Sequence, residues 1–240
     1  ERVINLDDYQ SYIEINGIDI MFGRRSGFWS GYPEPRGATD LIFRNCFIGY
    51  TGAKGSGSAY GLACFHSNTL IENCIFSDNG RRAISINTYT DNPGGRRIEN
   101  IIIRNNKFYR GHHTTSLDLS TMNREGDTVM NVYFYNNYID DHKIDTTADY
   151  RTSNQIFTQA GVGSSLMTNI YIVGNVFVQA TARNIQLENG VKFYLWNNSF
   201  IGHNYNVMSG SPYGNVGCGG ADTMEYCNNI GYCNLPDNDW

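Results

Sequence analysis

The sequence predicts an all-β solenoid, a chain wound into coils of parallel β-structure. Three observations predict it. A short string recurs along the whole chain, its local apolar pattern has period two, and glycine is frequent (26) while proline is scarce (5). The clearest copy of the string is Ile101-Ile102-Ile103-Arg104-Asn105-Asn106-Lys107-Phe108. Others are Ile42-Phe43-Arg44-Asn45-Cys46-Phe47, Leu70-Ile71-Glu72-Asn73-Cys74-Ile75 and Tyr133-Phe134-Tyr135-Asn136-Asn137-Tyr138. Tyr171-Ile172-Val173-Gly174-Asn175-Val176 and Tyr194-Leu195-Trp196-Asn197-Asn198-Ser199 follow, and weaker copies surround Gly17 and Asn228. The first residue of the pair falls at 17, 45, 73, 105, 136, 174, 197 and 228, so successive differences are 28, 28, 32, 31, 38, 23 and 31. Repeats in this range build solenoids or arrays.

Period-two alternation makes each copy a strand rather than a helix. No segment sustains helical spacing, which excludes helical repeats, and the uneven period disfavours propeller blades. About eight coils result. Coils stack ~4.8 Å apart, so equivalent positions on neighbouring coils touch. The second residue of the pair reads Ile18, Cys46, Cys74, Asn106, Asn137, Asn175, Asn198 and Asn229. Asparagines stacked in this way bond amide to amide along the axis and tolerate a left-handed turn. The expectation is an asparagine ladder with a structural role. Cys46 and Cys74 take ladder positions one coil apart and read as buried, stacked free thiols, with a disulfide as the alternative. Cys64 reads as core. Cys218, Cys227 and Cys233 crowd the last segment, where one disulfide fits a secreted protein.

In chain order, residues 1–22 hold a first partial coil. Residues 23–38 read as a long loop mixing arginines with Phe28, Trp29 and Tyr32. Thereafter each ladder turn is followed by a short strand, a variable loop and a third strand. The third strands are 61–65, 83–87, 116–120, 155–158, 184–188 and 206–209, each alternating again. Their outward residues form a column Ala63, Ser85, Asp118, Phe157, Gln186, Met208 and a neighbouring column Phe65, Asn87, Ser120, Gln159, Glu188. Insertions flank these strands on both sides, at 49–60 and 140–153 before them and at 88–97, 121–128 and 209–223 after them. The ladder side has none. A scaffold face walled by loops is where function concentrates, and a long groove suits a polymer.

The 240 residues fit one domain, 1–240, because repeat arrays lengthen without splitting. A net charge of -5 with scattered Lys and Arg argues against a nucleic-acid partner. No apolar run approaches ~18 residues, so no helical membrane span is expected. The first residues, Glu1 to Asp8, are already strand-like. The expectation is a mature form or a fragment lacking its N-terminal cap.

The strings Asn100-Ile101-Ile102-Ile103-Arg104-Asn105 and Asn68-Thr69-Leu70-Ile71-Glu72-Asn73-Cys74-Ile75-Phe76-Ser77 resemble coils of the right-handed parallel β-helix, pectate-lyase-like superfamily. The resemblance covers nearly the whole chain and rests on core and turn residues. It implies a secreted or cell-surface protein acting on an acidic polysaccharide, with the substrate cleft on the third sheet. The superfamily includes lyases, hydrolases, esterases and epimerases, together with non-catalytic tailspikes and adhesins.

Candidate chemistry gathers where basic groups enter the third strands. Arg81 and Arg82 precede Ser85, while Arg110, His112 and His113 precede Asp118. Arg183 precedes Gln186 and Glu188. Removing a proton α to a uronate carboxyl needs a cation on the carboxylate and a base at the proton. Arginine pairs bidentately with the carboxylate, and histidine is a base near neutral pH. His113, His112, Arg82 and Asp118 are therefore the catalytic candidates. Arg81, Arg110, Ser85, Asn87, Gln186, Glu188 and Trp29 are the substrate-binding candidates. The plainer reading makes these histidines loop residues and these arginines surface charge. Asn87, Asp91 and Asn92 can contribute to a calcium site, but calcium wants six to eight oxygens and the surrounding carboxylates are few. Hydrolysis would use Asp118 and Glu188, which the coil spacing sets ~10 Å apart, a stretch beyond the ~6.5–9.5 Å of inverting pairs. The expected function is a polysaccharide lyase or epimerase acting on a uronate polymer. The alternatives are a non-catalytic carbohydrate-binding or fibre module and a glycoside hydrolase.

Overall fold

The structure is a computed structural model that describes residues 2–6, 10–30, 39–52, 59–88, 95–110, 115–121, 126–140, 154–159, 165–178, 183–188, 190, 192–202, 216–219 and 223–232. For Arg183, Glu188 and residues 216–219 only the backbone is described. The described residues contain strands and no helix.

Every coil contributes one strand to each of three parallel sheets of eight strands. Sheet A stacks β1 (Arg2–Leu6), β4 (Ser26–Ser30), β7 (Tyr60–Cys64), β10 (Arg82–Asn87), β13 (Thr115–Ser120), β16 (Asn154–Gln159), β19 (Arg183–Glu188) and β22 (Val216–Gly219). Sheet B stacks β2 (Ile13–Asn16), β5 (Leu41–Arg44), β8 (Thr69–Glu72), β11 (Arg97–Arg104), β14 (Thr128–Tyr135), β17 (Leu166–Val173), β20 (Lys192–Trp196) and β23 (Thr223–Cys227). Sheet C stacks β3 (Asp19–Met21), β6 (Phe47–Gly49), β9 (Ile75–Ser77), β12 (Lys107–Tyr109), β15 (Tyr138–Asp140), β18 (Val176–Val178), β21 (Ser199–Ile201) and β24 (Ile230–Tyr232). This is a parallel β-helix of eight coils, as the repeat predicts. Sheet A is the third-strand sheet of the sequence reading.

Alternation fills the interior. Ile103, Phe134 and Ile172 from sheet B meet Phe76, Phe108 and Phe177 from sheet C and Ile84, Leu117 and Ile156 from sheet A, all within 1% of full burial. Identical neighbours stack along the axis, as with Phe76 on Phe108 (4.9 Å) and Phe177 on Phe200 (5.1 Å). Burying such a side chain stabilises by ~1.5–3 kcal/mol.

Most described corners of the coil turn on one left-handed residue. Between sheets B and C these are Gly17, Asn45, Asn73, Asn105, Asn136, Gly174, Asn197 and Asn228, with φ from 52° to 68°. Five residues before that position stand Tyr12, Asp40, Asn68, Asn100, Asn131 and Asn169. Five residues after it stand Phe22, Tyr50, Asp78, Arg110 and Gly202. Left-handed backbone costs an ordinary residue ~1–2 kcal/mol, and asparagine or glycine occupies most of these places.

The residue following the first corner forms the ladder. Asn106 Nδ2 donates to Asn137 Oδ1 (3.1 Å), Asn137 Nδ2 to Asn175 Oδ1 (3.1 Å), Asn175 Nδ2 to Asn198 Oδ1 (3.0 Å) and Asn198 Nδ2 to Asn229 Oδ1 (2.9 Å). Cys46 and Cys74 extend it as buried free thiols that donate to backbone carbonyls, and no disulfide joins them. Burial pushes the Cys74 thiol up to about 12. Cys64 lies in the core, and Cys227 is free and exposed. The Cys218 side chain and Cys233 lie outside the described residues.

Two expectations are corrected. Residues 26–30 are not loop, because Ser26–Ser30 pairs with β1 and β7 as a full member of sheet A. The alternation Ser26, Phe28, Ser30 already carried that strand, and the flanking arginines and aromatics masked it. The eighth coil does not place Met208 below Gln186, since β22 brings Gly217 there. Residues 206–209 lie outside the described residues.

Candidate functional site

The outward column of sheet A runs Asn5, Trp29, Ala63, Ser85, Asp118, Phe157, Gln186, Gly217. β10 and β13 lie side by side, so Ser85 faces Asp118 and Asn87 faces Ser120. Ser85 Oγ donates to Asp118 Oδ2 at 3.1 Å, and Arg82 Nη1 reaches the same oxygen at 3.2 Å. Asn87 Nδ2 donates to Ser85 Oγ at 3.2 Å and completes the network. Asp118 Oδ1 makes no hydrogen bond among the described residues.

Asp118 is 0% exposed, and Ala63 and Ser85 are equally buried. The sequence reading places these residues on an outward, loop-walled face, and at Ala63, Ser85 and Asp118 that face does not meet solvent. Alternation tells which side chains point away from the core, not whether that side meets water. The column is partly exposed at Trp29, Phe157 and Gln186. Burial pushes the Asp118 carboxyl above the usual carboxylate range, against the opposing pull of Arg82, Ser85 and Arg81. Burial, then the like charge of Arg82, lowers the Arg81 guanidinium below its ordinary value.

The structure thus brings together Arg82, Asp118, Ser85 and Asn87, with Arg81 beside them. Gln186 is two coils further, and its Oε1 accepts from Asn154 Nδ2 at 2.7 Å. That bond copies the Arg82–Asp118 arrangement, since in each case the first residue of one strand reaches the fourth residue of the next. Arg110 turns instead onto Asp78 (2.7 Å) and Ser77 (2.9 Å) at the corner between sheets C and A. His112 and His113 lie outside the described residues, as do Asp91 and Asn92. The backbone of Glu188 is in β19, two residues past Gln186, but its side chain is not described. Among the described residues no three His, Cys, Asp or Glu side chains converge as metal ligands.

Trp29 sits in the sheet and does not offer an open ring face from a loop. The guanidinium of Arg2 lies 4.2 Å over its ring, Phe65 meets it edge-on at 5.1 Å, and Tyr60 is tilted at 6.0 Å. Arg82 lies 5.7 Å over the Tyr60 ring. Sequence reasoning missed Arg2 and Tyr60, although both start strands of this sheet at the position of Arg82. It also missed a buried polar group at the next corner. His66 is 2% exposed, and burial and then Arg96 push its imidazole down to about 3, so it stays neutral.

Compared with known proteins, the chain matches no family model, no curated protein and no solved structure.

Proposed function

We propose that sheet A engages an acidic polysaccharide outside the cell or at its surface, and that the chemistry is β-elimination at a uronate or the related epimerisation. The observation that carries this reading is the asymmetry of Asp118. One oxygen is taken by Arg82 and Ser85, while the other is buried without a hydrogen bond from any described residue. A buried carboxylate oxygen left in this way requires a partner. The segment bearing His112 and His113 joins β13 at Thr115, three residues before Asp118. In this reading an imidazole N–H of one of them donates to Oδ1, and its other nitrogen acts as base. Arg82, whose Nη1 faces Asp118, presents its remaining donors to the uronate carboxylate, and Arg81 adds positive charge. The base takes the proton α to the carboxyl, the new double bond forms, and the bond to the departing sugar oxygen breaks. That oxygen collects a proton. Re-protonation on the opposite face without bond cleavage gives the epimer.

A second reading, a non-catalytic carbohydrate-binding or fibre module, is favoured by the repetition of the Arg82–Asp118 geometry at Asn154–Gln186. There the contact only ties one coil to the next. The two readings are separated by ultraviolet absorbance of the unsaturated product on alginate, pectate and glycosaminoglycans. The lyase reading expects product with the wild type and its loss in His113→Ala or His112→Ala, with oligosaccharide affinity retained. Absence of both unsaturated and epimerised product on every polymer rejects the enzyme.

A further inference from the structure

We propose that Arg2 and Arg25, at the edge where the chain enters the strands of sheet A, form an anion subsite that takes a carboxylate or sulfate of an acidic polysaccharide three coils away from Arg82. The proposal rests on the polysaccharide reading above and names residues that reading does not use. Arg2 pairs in register with Ser26, so Arg25 stands one residue from the position opposite Arg2. The Arg25 backbone is fixed, since its carbonyl accepts from the Tyr60 N–H at 2.9 Å. Arg2, Arg24 and Arg25 are all exposed.

Ion pairs among the described residues use Arg44, Arg82, Arg97, Arg104 and Arg110, and none uses Arg2, Arg24 or Arg25. In a chain of net charge -5, three exposed arginines that no described carboxylate engages concentrate positive charge at this edge. Arg2 and Arg25 also lie close enough to repel, and that repulsion, second to burial, lowers the Arg2 guanidinium below its ordinary value. An anion placed between them removes the repulsion.

The guanidinium of Arg2 is also held in place. It lies on the Trp29 ring at 4.2 Å, and its Nη1 donates to Asn5 Oδ1 at 2.8 Å. A cation fixed on an aromatic face and by one neutral acceptor is oriented before a ligand arrives, which lowers the ordering cost of binding. Its remaining N–H groups suit the paired oxygens of a carboxylate or sulfate.

Polymer direction follows from the register. Arg2, Ser26, Tyr60 and Arg82 are consecutive partners down one edge. Three coil steps of ~4.8 Å put Arg2 ~14 Å from Arg82. A polysaccharide lying along the axis meets positive charge at both ends of that span. A single-stranded nucleic acid fits less well, because it needs open aromatic faces for its bases, and Arg2 occupies the Trp29 face.

The test is calorimetric titration of wild type, the double variant Arg2→Ala/Arg25→Ala, the conservative double variant Arg2→Lys/Arg25→Lys and Asp118→Asn. The probes are a galacturonate disaccharide, a galacturonate hexasaccharide, a heparin-derived hexasaccharide and a single-stranded oligonucleotide. Both arginines are exposed, so the alanine pair is expected to fold with an unchanged unfolding midpoint. It is expected to lose roughly tenfold or more in affinity for at least one hexasaccharide, as for a lost charge-assisted bond. The disaccharide should bind it as it binds the wild type, and the lysine pair should recover part of the loss. The inference is overturned if the alanine pair binds both hexasaccharides as the wild type does. It is equally overturned if neither hexasaccharide binds the wild type, or if the oligonucleotide binds better than both. Elimination assayed with the wild type on the same hexasaccharides, with Asp118→Asn as the inactive control, keeps the two ideas apart. Product from the wild type with unchanged binding by the alanine pair rejects this subsite alone, whereas lost binding by that pair without any product from the wild type rejects the lyase and leaves the subsite.

Discussion

Asp118 shows how one residue can fit its surroundings and remain under strain. It brings a carboxylate to a place with no solvent, where Arg82 and Ser85 share one oxygen and the other has no hydrogen bond among the described residues. Burial raises its pKa above that of the unfolded chain. Between the unfolded and the folded values the native state binds more protons than the unfolded state. Stability from this group is therefore gained as pH falls through that window and lost as pH rises through it. Asp118→Asn removes the titration. In urea unfolding across a pH series, wild type should gain on the Asn variant as pH falls, by ~1.4 kcal/mol per pH unit at the steepest. Parallel stability curves would show that Asp118 does not titrate differently in the two states. Arg82→Ala, by contrast, strands the carboxylate and should cost ~3–5 kcal/mol at neutral pH.

At the scale of the element, the coil corner explains what the sequence disclosed and what it hid. The ladder at Asn106, Asn137, Asn175 and Asn198 was legible because Asn-Asn, or Gly-Asn at Asn175, follows each of these apolar runs at fixed spacing. A second ladder, Asn68–Asn100–Asn131–Asn169, runs along the corner between sheets A and B with amide contacts of 3.1, 3.3 and 3.1 Å. Its constant offset of five from the first was present in the sequence, but its members stand singly, and a lone asparagine in a turn is unremarkable. Trp29 was misplaced for a related reason, because loop-like neighbours hid a five-residue strand. The centre of the candidate site was legible as a column of residues, but its burial was not, because burial depends on what lies over the sheet. The two ladders differ in solvent. Asn137 is 2% exposed, and its side chain joins the Asn106 N–H and amide, the Ile103 carbonyl and Asn175. Asn137→Leu leaves several buried groups unpaired at ~1–3 kcal/mol each and should lower stability by about 3 kcal/mol or more. Asn131→Gly keeps the left-handed backbone and exposes its partners to water, so it should cost about 1 kcal/mol or less. Chemical denaturation of both variants checks the contrast, and equal losses would refute the division into a buried structural ladder and a solvated one.

At the scale of the whole molecule, a solenoid has no single centre. Each coil touches only its neighbours, so stability is a sum of coil terms and interface terms. In this chain the inner strands β11, β14 and β17 have coils on both sides, and their inward residues Ile98, Ile101, Ile103, Val129, Val132, Phe134, Met167, Ile170 and Ile172 are 0% exposed. The outermost strands differ. Ile13 and Ile15 of β2 are only partly buried, as are Met224 and Tyr226 of β23, and Ile230 of β24 is 68% exposed. An end coil loses one interface on opening, whereas an inner coil loses two and uncovers its neighbours' amides. Opening free energies should therefore climb from the ends inwards, from near zero toward the global value. Native-state hydrogen exchange is the measurement. Backbone amides of β2, β3, β23 and β24 should exchange by local opening, in order of distance from the middle. Those of β11, β14 and β17 should exchange only with unfolding of most of the stack. Asn137→Leu, placed between two inner coils, should then bring the exchange of β11 and β17 down together, because both share the interface that the substitution weakens. Equal protection from end to end would mean that the chain unfolds as one indivisible unit, and the nearest-neighbour description would have to be abandoned. If only β14 responds to the substitution, the ladder does not couple the coils, and its amides act one by one.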